Sequence, residues 1–186
     1  MILTFYDTET TGLDTYRDDI LQIAYIRYDT VERKMVDAGK MHLWEPSYRY
    51  GAEHVHHITK EFLEALPLEE MPAKYQKLHS VFHRACVIGF NNDTYDDTIL
   101  SNFLKRHSVE PIFDRSYDVR NMYCKKHNTR KGRLTEVCEM YGLIPAVINA
   151  MQKSIFGVES GAHDATYDVI ATYMLFLAMG CVVGNE

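Results

Sequence analysis

The chain is poor in features that would mark it as secreted, membrane-spanning or a broad clamp for duplex. Its four cysteines, Cys86, Cys124, Cys138 and Cys181, include no CxxC pair. Three lie in apolar surroundings, so they read as buried free thiols in a reducing compartment. No apolar run reaches the roughly 20 residues that cross a bilayer, and Tyr173 to Met179 reads instead as a core helix. Met1 to Phe5 lack the charged start and cleavage site of a signal peptide. The expectation is a cytoplasmic protein with no membrane partner. Positive charge is also scarce: the net charge is −6 and the pI about 5.8, which argues against a broad basic face for duplex. Contact with a polyanion is not excluded, because clustered acids add negative charge that bound cations reverse. The densest basic stretch, Lys125-Lys126-His127 with Arg130-Lys131 and Arg133, reads first as a solvated loop and second as a phosphate-contacting strip. Repeats, low-complexity tracts and an interdomain linker are missing too.

With 186 residues, 46% of them hydrophobic, the chain can bury a sizeable core, and residues 1–186 are expected to form one domain. Ile2–Thr8, Ile20–Tyr28 and Lys34–Leu43 read as strands with short connections, an antiparallel meander. Trp44 to Val55 is an excursion broken by Pro46 and Gly51. Thr59 is a candidate N-cap for a short helix over residues 60–64. Pro72–Arg84 is an amphipathic helix, Cys86–Phe90 a short strand, and Thr94–His107 a helix with Ile99, Leu100, Phe103 and Leu104 on one face. Ile112-Phe113 is a candidate last, edge strand. Helices are expected over 118–126, 134–141, 146–156 and 164–179. Strands that alternate with helices after a meander imply an α/β fold.

Three segments carry the chemistry. In Asp7-Thr8-Glu9, the two acids are two apart on a strand and share a face at its carboxyl end. Adjacent anions raise each other's pKa, and a divalent cation relieves that repulsion. All-oxygen ligation suits magnesium or manganese. Asp96 and Asp97 are neighbours near a helix start and face different ways, so one is expected to reach the site while the other is explained by the helix dipole. His163 precedes a helix that Asp164 is placed to cap, and Asp168 sits on that helix. A histidine on the loop beside a metal-activated water can take its proton. Of the remaining histidines, His79 and His83 read as a solvated helix face. His54, His56 and His57 resemble a metal cluster only by number.

Taken together, Asp7-x-Glu9, Gly89-Phe90-Asn91-Asn92 with Tyr95-Asp96-Asp97, and His163-x-Ala165 with Asp168 three further on resemble the DEDDh 3′–5′ exonucleases. Among them, the chain resembles the nuclease domain of bacterial exonuclease I. Tyr117-Asp118-Val119-Arg120, Arg133-Leu134 and Ala171-Thr172 add to the likeness. Val55-His56-His57-Ile58-Thr59 is similar to a turn of the proofreading subunits of bacterial DNA polymerase III. The resemblance covers nearly the whole chain, although Trp44 to Gly51 has no match.

The resemblance implies a ribonuclease H-like mixed sheet, three antiparallel strands followed by parallel ones, flanked by helices. It picks Asp96 over Asp97 and implies two magnesium or manganese ions held by Asp7, Glu9, Asp96 and Asp168, with His163 as general base. It also implies release of nucleoside 5′-monophosphates from the 3′ end of single-stranded DNA. Backbone amides near Thr10, Thr11 and Gly12 would contact the terminal ribose, Leu13 would wedge between bases or pack, and His57 and Asn92 would flank the substrate groove. Alternatives stay open: an RNA-trimming nuclease or oligoribonuclease, a proofreading subunit with a polymerase partner, or an inactive adaptor of the same fold.

Overall fold

A computed structural model describes residues 1–110 and 113–183. Its centre is a five-stranded sheet in the order β3-β2-β1-β4-β5. The strands are β1 (Ile2–Thr10), β2 (Ile20–Asp29), β3 (Lys34–His42), β4 (Cys86–Gly89) and β5 (Arg115–Asp118). The first three pair antiparallel, as the meander predicts. β4 then runs parallel to β1, and β5 parallel to β4. This is the mixed ribonuclease H-like sheet expected from the sequence. The helices are α1 (Glu53–His56), α2 (Lys60–Glu64), α3 (Met71–Phe82), α4 (Asp96–Arg106), α5 (Val119–His127), α6 (Leu134–Met140), α7 (Pro145–Phe156) and α8 (Ala165–Ala178).

β1 is buried on both faces, and its alternating side chains feed two cores. Leu3 and Phe5 pack toward α8, with the Phe5 ring edge-on to Tyr173 and Phe176. Tyr6 faces Phe82 of α3 in the other core. The apolar stretch Tyr173 to Met179 closes the first core. Among the described residues no helix is long and apolar enough to cross a membrane.

Two caps stand where the sequence places them. The Thr59 hydroxyl accepts from the Phe62 amide at the start of α2. Asp164 accepts from the Thr166 amide at the start of α8. The sheet edge differs from expectation. Ile112 lies outside the described residues, and the edge strand is Arg115–Asp118. Its residues, Arg-Ser-Tyr-Asp, lack the apolar run that marks a strand, so its pairing rests on backbone ladder bonds with β4.

The excursion after β3 is pinned from below. The Tyr48 hydroxyl lies 2.7 Å from that of Tyr75 and 3.0 Å from His107 Nε2. Tyr75 donates to Glu45 at 2.7 Å and stacks on the His107 ring at 4.2 Å. At the far end of the excursion, Gly51 lies so close to Thr11 that a Cβ there would come within 2.5 Å of the Thr11 carbonyl oxygen.

Gly89, at the end of β4, is in a similarly tight place, since its Cβ would meet the Asn92 side chain at 2.5 Å. Gly89→Ala is therefore expected to destabilise the fold by about 1–3 kcal/mol, the usual range for overpacking. Urea unfolding would check this, and an unchanged midpoint would show that the 90–95 turn yields freely.

Candidate active site

The carboxyl ends of β1 and β4 and the amino end of α8 meet at one cleft. Asp7, Glu9 and Asp168 each offer an oxygen within 4.8 Å of the others. β1 presents the first two from one face, as their spacing of two requires. Asp168 comes from the first turn of α8, which is held against β2 because the Ala165 amide donates to Gln22 Oε1 at 2.9 Å. Asp96 lies beside this trio without joining its tight cluster. It accepts from the Thr8 hydroxyl at 2.5 Å, and its charge is felt by both Asp7 and Glu9. Asp97 points elsewhere, to Tyr6 at 2.5 Å and to Asn92 at 2.9 Å. Of the two neighbours, Asp96 is thus the one beside the acids.

His163 sits exposed on the loop before α8 with a left-handed backbone, φ 68°. Its amide donates to Asp168 Oδ2 at 3.0 Å. His163 lines two cavities. One, of about 560 Å³, is lined by Asp7, Asp168, Phe90, Asn91, Arg120 and Arg133. The other, of about 460 Å³, includes Lys40, His42, His57 and Asp164. The loop is braced by α7: fully buried Gln152 donates to Thr166 at 2.7 Å and accepts from the Ser160 amide.

The 3′-end residues read from sequence fare unevenly. Leu13 is 89% exposed, which removes packing within this chain as its role. His57 is exposed and lines the second cavity with His163. Thr10 and Thr11 are buried. The Thr10 hydroxyl is engaged with the Gly12 carbonyl and Tyr95. The Thr11 amide donates to the Asp19 carbonyl at 2.9 Å, so it is not available to a ribose. Gly12 packs against the Asp18 carboxylate, which a Cβ would meet at 2.6 Å. Asn92 is a correction. It is 1% exposed, and its side-chain amide donates to Asp97 and to Ser116, tying the turn after β4 to β5 rather than facing the groove.

Sequence reasoning gave no site role to Asn91 or Arg120, and it ranked Arg133 below a solvated loop. Asp118 caps α5 and accepts the Asn91 amide at 2.9 Å. Arg120 then reaches Asn91 Oδ1 at 3.0 Å and the Gly132 carbonyl at 3.2 Å. Arg133, exposed at the start of α6, is the cation of the 125–133 stretch that lines the cleft together with Asp7 and Asp168. Lys126 instead turns to the Met179 carbonyl. The Tyr117-to-Arg120 motif was the signal that could have found the Asn91–Arg120 link. His56 is a brace, with Nε2 toward the Gly51 carbonyl and Nδ1 accepting the Ile58 amide. His79 and His83 stack on each other at 4.7 Å.

The acids do not sit easily together. Burial, then Asp168, holds Asp7 well above the usual carboxylate range. The same two causes push Glu9 up to about 8. Burial raises Asp96 to about 7 against the Thr8 hydrogen bond, and it raises Asp168 to about 7 against the His163 amide. A cluster of buried carboxyls held above their ordinary values, with oxygen donors only, fits a hard divalent cation.

A pH dependence follows. In the unfolded chain these acids lose their protons near pH 4. In the folded metal-free protein Glu9, Asp96 and Asp168 keep theirs to about 7–8, and Asp7 is raised as well. Across that window the folded state binds more protons, so stability falls as pH rises and levels off above it. Magnesium, binding the ionised form, is expected to raise the melting temperature more at pH 8.5 than at pH 5.5. Thermal melts with EDTA and with magnesium at both pH values would check this. A metal increment that shrinks with rising pH would contradict it.

The strand order and the acids at the carboxyl ends define the ribonuclease H-like class of α/β proteins. A family model described as exonuclease (RNase_T) matches residues 4–176, and the chain belongs to that family. It is 30% identical over 192 residues to exodeoxyribonuclease I of Buchnera aphidicola subsp. Schizaphis graminum, covering 92% of this chain and 38% of that one. Against the same enzyme of the Acyrthosiphon pisum subspecies it is 28% identical over 180 residues, with 90% and 43% covered. The chain thus spans about two fifths of the length of these curated relatives. The structure of E. coli exonuclease I with a dA16 oligonucleotide aligns at a TM-score of 0.69 and 22% identity, over 96% of this chain and 40% of that one.

Proposed function

We propose that this protein is a divalent-metal-dependent 3′–5′ exodeoxyribonuclease that releases nucleoside 5′-monophosphates from single-stranded DNA. One observation carries the reading: Asp7, Glu9 and Asp168 converge to within 4.8 Å at a cleft that His163 and Arg133 also line. Family membership and the DNA-bound relative support it.

Asp7, Glu9 and Asp168 would hold magnesium or manganese, with Asp96 beside them as a further oxygen donor. When bound, such ions supply Lewis acidity and an acidified water. His163 takes the proton as water attacks the terminal phosphorus and the bond to the 3′ oxygen breaks. The leaving oxygen takes a proton from solvent. Arg133 holds the phosphate from the opposite wall. Exposed Leu13 lies in the turn after β1, placed to meet the last bases. The fixed amide of Asp168's partner, His163, keeps general base and acid cluster in register.

The test is the product profile on labelled single-stranded DNA and RNA of equal sequence, with magnesium or manganese. Stepwise shortening from the 3′ end with 5′-monophosphate products, faster on DNA, is expected. Equal or faster cutting of RNA would move the assignment to an RNA-trimming nuclease. An intact substrate in both metals would end the enzyme reading.

A further inference from the structure

A second charged cavity lies at the other pole of the sheet. β1 runs from Thr4 to Glu9 over roughly 17 Å, at about 3.3 Å per residue. The cavity gathers at the Thr4 end, beside the amino ends of the parallel strands, while the acids sit at the carboxyl ends. Its volume is about 530 Å³, with Thr4, Arg27, His83, Arg84, Asp114 and Arg115 in its lining and apolar side chains of β1 and α3 completing it. That is far more than a single water needs (~30 Å³) and falls within the range of small-molecule sites.

Thr4 and Arg27 face each other across β1 and β2. Thr4 is 1% exposed. Its hydroxyl is buried without a hydrogen-bond partner, and so is Arg27 Nε. Among the described residues Arg27 forms no ion pair. Buried polar atoms without partners are rare and destabilising, and two of them bordering one cavity point to a ligand that supplies the missing acceptor. Three arginines face one carboxylate here, on a chain whose net charge is −6. The Arg84–Asp114 pair is 3.8 Å apart and largely exposed, so it leaves Arg84 free to turn inward. Arg115 is already engaged, and recognition rests on Arg27, Arg84 and Thr4. Guanidinium forks with a hydroxyl match the oxygens of a phosphate.

We propose that this cavity is a second phosphate-binding site, remote from the acid cluster, that takes the phosphate of a mononucleotide or of a nucleic-acid strand. A small rotation of Arg27 and Arg84 brings their donors onto the phosphate oxygens, and the Thr4 hydroxyl gains its acceptor.

Calorimetric titration in EDTA with inorganic phosphate, dAMP and a short single-stranded oligonucleotide tests this. Arg27→Met is expected to weaken binding about tenfold or more, the loss of one charge-assisted contact. Arg133→Met, on the wall of the acidic cleft, leaves this event in place. Only binding that Arg27→Met weakens is counted: if that component is tightest with dAMP, a mononucleotide is the source of the phosphate, and if it is tightest with the oligonucleotide, a strand is. Thr4→Val is expected to raise the melting temperature without phosphate, because an unpaired buried hydroxyl is removed, and to reduce the increment that phosphate adds. The proposal is overturned if Arg27→Met and Thr4→Val leave the titrations unchanged. Loss of the event in Arg133→Met, equal competition by acetate, or a lower phosphate-free melting temperature in Thr4→Val would overturn it as well.

Discussion

Asp168→Asn is expected to slow strand cleavage by about a thousandfold or more, the scale seen when a member of a catalytic group is removed. The same change should leave the metal-free protein as stable as its parent at pH 8, or more so. The two effects have one origin. After burial itself, Asp168 is the largest influence on both Asp7 and Glu9. Neutralising it relieves repulsion among buried carboxyls, while the amide oxygen can still accept the His163 amide that Asp168 Oδ2 accepts now. The cation loses a charged ligand, so the magnesium-induced rise in melting temperature should shrink. Cleavage rates and melts with and without magnesium would be measured together. A variant that cuts at the parental rate would remove the acid trio from the chemistry. A variant that unfolds would make Asp168 structural instead.

His163→Gly is expected to lower the turnover rate by about 10²–10⁴-fold, the usual contribution of a positioned proton acceptor, with little change in KM. Glycine is chosen because residue 163 has a φ of 68°, a conformation that glycine adopts without strain. The amide bond to Asp168 belongs to the backbone and survives. Folding and the acid cluster should therefore be preserved, and the loss is assigned to the imidazole. Because His163 borders two open cavities, added imidazole has room to enter and should restore part of the rate. Full activity without a side chain at 163 would make the base assignment wrong. No rescue together with a lower melting temperature would point to a folding defect.

Much of this was legible in the sequence because the deciding signals are local. The spacing of two between Asp7 and Glu9 fixes a shared face on any strand. Thr59 and Asp164 cap helices by contacts within three residues. Other features depend on long-range placement. Asn92 looks like a groove residue by its motif, but Gly89 leaves room for it to fold inward onto Asp97 and Ser116. The edge strand Arg115–Asp118 carries no apolar pattern, whereas Ile112-Phe113 does. The link from Arg120 to Asn91 spans 29 residues through a capping aspartate. The pairing of Thr4 with Arg27 across two strands follows from register, which no single stretch encodes.

The tyrosine, glutamate and histidine lattice under residues 45–48 gives the wall beside Thr11 a mechanical character. Gly51 rests on a backbone carbonyl, and the segment leading to it is tied to α3 and α4 by Tyr75 and His107. Such a wall behaves as a caliper and not as a hinge. To displace it, the buried contact between the Tyr48 and Tyr75 hydroxyls would have to break first.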